Sequence, residues 1–213
     1  MFLLINGYLF SVIVIQSQEA SLRNVITNMM FILLLLSPAL TMRLLADELR
    51  MGTIELLMTA PVRDWQIVVG KYLGSLITYL VILIGPTLYY VLILGIFGPP
   101  DYGPIASAYL GIVLLGASFL AVGVFSSSLT QNQIIAYFAG MVILLLLWVA
   151  DAGNTALGFA GPVGDTLSYL AIPQHYTDFF RGVIDTRHIV YSLSVIAVSL
   201  FLATQMVQSR RWR

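Results

Sequence analysis

The chain has 213 residues, of which 59% are apolar and only 9% charged, and ten Lys+Arg balance ten Asp+Glu to a formal charge of zero. Soluble domains carry roughly a quarter charged residues, so this composition, with a mean hydropathy of +0.94, excludes most soluble-enzyme classes and reads as a polytopic membrane protein. The absence of cysteine removes disulfides, Cys-ligated zinc, iron–sulfur clusters and thiol catalysis. A pI near 6.7 and no basic stripe argue against a nucleic-acid partner.

A spanning helix needs about 20 mainly apolar residues, and six stretches come close: about 1–15, 25–42, 72–97, 105–125, 133–150 and 189–207. The first is expected to be short or truncated. With no basic residue before it and no small-residue cleavage site after it, it reads as a membrane segment and not a signal peptide. Pro38 in the second stretch and Gly85–Pro86 in the third predict kinks.

Between the second and third stretches lies an inner loop, 43–71. It holds four cations (Arg43, Arg50, Arg63, Lys71) and four anions (Asp47, Glu48, Glu55, Asp64). Leu45, Leu49, Leu56 and Leu57 are spaced to give a helix there one apolar face. Pro61 then breaks it, and Asp64 suits the positive end of the next helix. Further on, Gly111, Gly116 and Gly123 mark a small-residue packing face, as does the pair Gly70 and Gly74. Ser126–Asn132 is a short uncharged turn expected to cap two helices. The outer loop, 151–188, is rich in Gly and Pro up to Pro173. Tyr176, Phe179, Phe180, Val183 and Ile184 then follow helical spacing and predict an interfacial amphipathic helix, with His175, Asp178 and Arg181 on its polar side.

Orientation follows from Lys/Arg placement. With the N-terminus inside, Arg43, Arg50, Arg63, Lys71, Arg210, Arg211 and Arg213 face the cytoplasm, against Arg23, Arg181 and Arg187 outside. Both termini are therefore expected in the cytoplasm.

Candidate chemistry is sparse. No Asp, Glu, Lys or His falls near the centre of a proposed span, whereas ion-coupled carriers keep such groups at mid-bilayer. His175 and Asp178 could be imagined as an acyltransferase or metal site, but two His without Cys make a poor ligand set. The polar face of an interfacial helix is the preferred reading. Ser118 has no His at similar depth to serve as its base. Gly70–Lys71 fails the phosphate-loop pattern, which needs Gly where Trp65 stands and Ser/Thr where Tyr72 stands. No catalytic, cofactor-binding or metal residue is assigned, and the chain is read as a non-enzyme.

The inner loop carries a more specific signal. Asp47-Glu48-Leu49-Arg50-x-Gly52-Thr53-Ile54-Glu55-Leu56-Leu57, then Ala60-Pro61-Val62 and Trp65 to Lys71, resembles the membrane subunits of type-2 ABC exporters, most of all the gliding-motility-like permease branch. Ser127-Ser128-Leu129-Thr130-x-Asn132-Gln133, Phe179-x-Arg181-Gly182-Val183-Ile184-Asp185 and the terminal Ser209-Arg210-Arg211-Trp212 extend the resemblance over nearly the whole chain.

The resemblance implies an all-α fold of six transmembrane helices in a single permease domain, 1–213, with short outer re-entrant helices. It also implies a second permease subunit, as homo- or heterodimer, and a separate cytoplasmic ATP-binding subunit that holds the ATP and Mg. No cofactor is then expected in this chain. Coupling to the ATPase would fall on Glu48, Arg50, Gly52, Thr53, Ile54, Glu55, Leu56 and Leu57. The expected function is transport, as an exporter permease in the plasma membrane. The alternative is a non-transporting scaffold or anchor of a motility or assembly complex.

Overall fold

A computed structural model describes residues 7–8, 12, 23–53, 62–97, 102–157, 162–179 and 182–210. Among these the chain is helical and has no strand. The helices are α1 (Arg23–Thr41), α2 (Ala46–Met51), α3 (Asp64–Phe97), α4 (Tyr102–Leu129), α5 (Gln133–Leu157), α6 (Pro162–Leu170), α7 (Ile172–Tyr176) and α8 (Thr186–Arg210). Five segments are long and apolar enough to cross a membrane: Asn28–Met51, Asp64–Gly85, Gly103–Leu129, Gln133–Asp151 and Thr186–Ser209. They overlap the second to sixth expected spans, although the first extends into the expected inner loop and the second begins within it. The first, 1–15, lies outside the described residues except at 7, 8 and 12.

The bundle is built around α4, which packs against α1, α3, α5 and α8. Of its spanning window 72% is buried, against 17% for that of α5 and 22% for that of α8. Small residues make this central position possible, because they let helix backbones approach closely. A Cβ at Gly116 would run into the Tyr79 ring, and one at Gly123 into Thr41. A Cβ at Gly111 would stand 2.9 Å from that of Phe179. The small-residue face of α4 thus packs inside this subunit. Gly70 and Gly74 have nothing within 4 Å of such a Cβ, so that pair is left open among the described residues.

Helix α3 begins at Asp64, whose carboxylate suits the positive helix end. At Pro38 the ring sits inside α1 without ending it, and α3 runs unbroken across Gly85 and residue 86.

The stretch after Pro173 departs from the expectation. Instead of one amphipathic helix through Ile184, α7 stops at Tyr176 and the chain turns. Gly182 adopts φ +88°, in the left-handed region that favours glycine. Its N–H donates to Phe179 O at 3.2 Å, and Val183 N–H donates to Asp178 O at 3.0 Å. The periodic apolar residues therefore part company: Tyr176 and Phe179 enter the core, while Val183 and Ile184 are exposed. Phe180 and Arg181 lie outside the described residues.

Candidate functional site

The expected coupling segment begins on α2, at one end of the bundle. Its first turn holds Asp47 and Glu48 and its last turn Arg50, charges that complement the helix dipole. Gly52 ends it at φ +69°, the left-handed C-cap conformation. Leu45 and Ala46 are fully buried and Leu49 nearly so, whereas Arg50, Met51 and Gly52 face outward and Thr53 is half-buried. Ile54, Glu55, Leu56 and Leu57 lie outside the described residues.

Three other helices grip α2 by polar side chains. The first amides of a helix lack intrahelical partners, and Leu45 supplies no side-chain cap. Ser127, in the last turn of α4, takes that role: its Oγ accepts from Leu45 N–H at 3.1 Å and Ala46 N–H at 3.0 Å, and donates to Met42 O at 3.0 Å. Gln133, the first residue of α5, donates its amide to Asp47 Oδ1. From α3, Lys71 Nζ meets Glu48 Oε1 at 2.5 Å, with both side chains about four-fifths buried. The other carboxylate oxygen, Glu48 Oε2, is buried without a hydrogen-bond partner among the described residues. These contacts tie α2 to α3, α4 and α5.

In the sequence Lys71 reads as a loop cation and residues 126–132 as a helix-capping turn, with no sign of their grip on α2. Those partners sit far from α2 in sequence, Ser127 being 82 residues from Leu45, so local periodicity carries no trace of them.

A second polar cluster joins α7 to the start of α8, whose neighbours meet α4 at Ser107 and Ser118. His175 was expected on the polar side of an interfacial helix, and it is instead buried. Its Nε2 lies 2.6 Å from Tyr169 O and its Nδ1 lies 2.9 Å from Nδ1 of His188. His188 Nε2 lies 3.0 Å from Asp178 Oδ2. The His175 ring stacks on Tyr191 at 3.8 Å between centroids, and Tyr191 O–H donates to Leu170 O at 2.8 Å. Burial holds the His175 imidazole below its ordinary value of 6.5; the hydrogen bond to Tyr169 works against that, and His188 adds to it. Tyr169 and Tyr191 also line an apolar cavity of about 340 Å³, together with Val122, Phe125, Leu147 and Val198. Among the described residues no group of three or more His, Asp or Glu is placed to hold a metal ion.

Comparison with known proteins gives a consistent result. A family described as "ABC-2 family transporter protein" matches residues 6–209. The "Probable multidrug ABC transporter permease YbhR" of Escherichia coli (strain K12) is 27% identical over 144 residues, covering 65% of this chain and 37% of that protein. Its counterpart in Escherichia coli O157:H7 gives the same figures. The chain thus spans little more than a third of the length of these curated relatives. With its apolar helices, the match identifies a multi-pass protein of the cell membrane.

Proposed function

The chain belongs to the ABC-2 family of transporter proteins, and from that premise we propose that it is the permease subunit of an exporter driven by a separate ATP-binding chain. The observation that carries this reading is the clamped α2. A short helix whose one side is fixed to three bundle helices and whose other side presents Arg50, Met51 and Gly52 is suited to pass a partner's movement into the bundle. Such a segment transmits work only if its contacts differ between the partner's nucleotide states.

In this reading the α2 end of the bundle faces the cytoplasm, and both termini lie on that side. ATP and Mg bind in the partner, and a second permease chain, identical or related, completes the path. The motif resemblance of residues 47–71 supports a place near the gliding-motility-like branch. The relative's multidrug title and the apolar cavity both support an apolar cargo.

The test is co-purification of candidate nucleotide-binding subunits with the wild type, with Glu55→Arg and with a chain whose 48–57 segment is scrambled. Both changes are expected to abolish capture, Glu55→Arg while the permease remains folded in detergent. Equal capture by all three chains refutes the coupling assignment.

A further inference from the structure

We propose that His175, His188 and Asp178 form a proton-binding latch that joins α7 to the start of α8. It is closed when it holds one proton beyond two neutral imidazoles and a carboxylate, and a second extra proton opens it.

Three close contacts run in series: Tyr169 O to His175 Nε2 at 2.6 Å, His175 Nδ1 to His188 Nδ1 at 2.9 Å, and His188 Nε2 to Asp178 Oδ2 at 3.0 Å. Each needs one proton between its two atoms. A carbonyl can only accept, so His175 Nε2 carries a proton. In the neutral ring His175 Nδ1 is then an acceptor, and His188 Nδ1 must donate to it. A carboxylate also only accepts, so His188 Nε2 must donate as well. Two neutral imidazoles supply two protons and the chain of contacts uses three. The third is placed on His188, where it makes the 3.0 Å contact with Asp178 Oδ2 a charge-assisted hydrogen bond between an imidazolium and a carboxylate. The closed cluster thus contains one imidazolium, one neutral imidazole and one carboxylate.

The elements around α7 carry other titratable groups. Tyr191 and Arg187 are on α8, Asp151 is on α5, and Asp165 and Tyr169 are on α6. Asp185 lies in the turn before α8, and Tyr176 on α7 itself shares a hydrogen bond with Ser192 at 2.8 Å. Among the charged groups it is His188 that bears on His175. The only site left for a further proton in the two rings is His175 Nδ1. Occupying it turns the central hydrogen bond into two N–H groups of two cations facing each other at 2.9 Å. The two rings must then separate, which breaks the link between α7 and the start of α8.

The chain has only two histidines, so ¹⁵N-histidine labelling of the whole protein in bilayers, purified without a histidine tag, yields four ring nitrogens. At about pH 7.5 the expected spectrum has three protonated nitrogens, one bare nitrogen, and coupling through the hydrogen bond between the two Nδ1 atoms. At about pH 5 all four are protonated and that coupling is gone. Asp178→Asn can donate its amide to His188 Nε2, so this variant is expected to show two protonated and two bare nitrogens at the higher pH, with the coupling kept. Two bare nitrogens in the wild type at the higher pH overturn the proposal. So does coupling that survives the fourth proton, or three protonated nitrogens in the variant. The wild-type titration decides the matter even if the variant does not fold.

Discussion

At the scale of single residues, the grip on α2 rests on a few side chains whose loss leaves buried groups unmatched. Ser127→Ala removes the acceptor for two buried amides, and an unsatisfied buried group costs about 1–3 kcal/mol. The variant is expected to lose that much in a denaturant titration in detergent, and Ser128→Ala, whose hydroxyl bonds within its own helix turn to Phe125 O, to lose much less. Lys71→Ala strands the Glu48 carboxylate, one oxygen of which already lacks a partner among the described residues. Removing one member of a largely buried pair is worse than replacing both. Lys71→Met with Glu48→Met is therefore expected to be more stable than Lys71→Ala alone, and the reverse order would show that the pair carries little. His175 gives a pH prediction with a fixed sign. Because burial lowers its proton affinity in the folded state, the unfolded chain binds the proton first on acidification. Its contribution to stability is thus fully present above about 6.5, the ordinary value, and is lost as the pH falls below it. Unfolding curves across that window should show the fall, and His175→Phe should flatten it.

At the scale of helices, the sequence was most legible where one force dominates. Hydropathy located five spans because each must bury or expose apolar length in one piece, and Asp64 marked the start of α3 because charge at a helix end acts locally. It was least legible after Pro173. Tyr176, Phe179, Val183 and Ile184 have helical spacing, yet a turn at Gly182 sends the first two inward and the last two outward. An apolar period does not distinguish a helix from two short pieces joined by a glycine. The clamp residues were hidden for a different reason: Ser127, Gln133 and Lys71 meet α2 only through the tertiary fold. Glycine patterns were legible as packing faces but not as to which face is used, and that difference is testable. Gly116→Ala places a methyl group in the buried Tyr79 ring, whose hydroxyl is held at 2.8 Å by Ile112 O. Overpacking of that kind costs about 1–3 kcal/mol. Gly74→Ala meets nothing within 4 Å and is expected to leave the melting temperature unchanged or slightly raised. Equal losses at both positions would mean that a partner covers Gly74.

At the scale of the whole molecule, burial is distributed unevenly in a way that fits a bundle with one inner helix and two outward-facing ones. Helix α4 is enclosed, whereas α5 turns Ile134, Phe138, Val142 and Leu146 outward and α8 turns out Val190, Leu193 and Phe201. In water such faces would have to be covered; in a bilayer they meet lipid tails, which are as apolar as the side chains themselves. Depth then decides what each exposed position tolerates. Val142 stands midway along the spanning segment Gln133–Asp151, and Ile134 stands at its end. A charge at the centre of a spanning helix costs about 2.5–3.5 kcal/mol on insertion scales, and one near the interface can extend its head group into water. Val142→Arg is accordingly expected to lower the yield of membrane-inserted, folded protein sharply, and Ile134→Arg to leave it near wild type. The measurement is the folded fraction recovered from membranes at matched expression. If the two variants behave alike, the exposed face of α5 does not look onto lipid along its length. The bundle would then have to be turned so that this face meets water or a second chain.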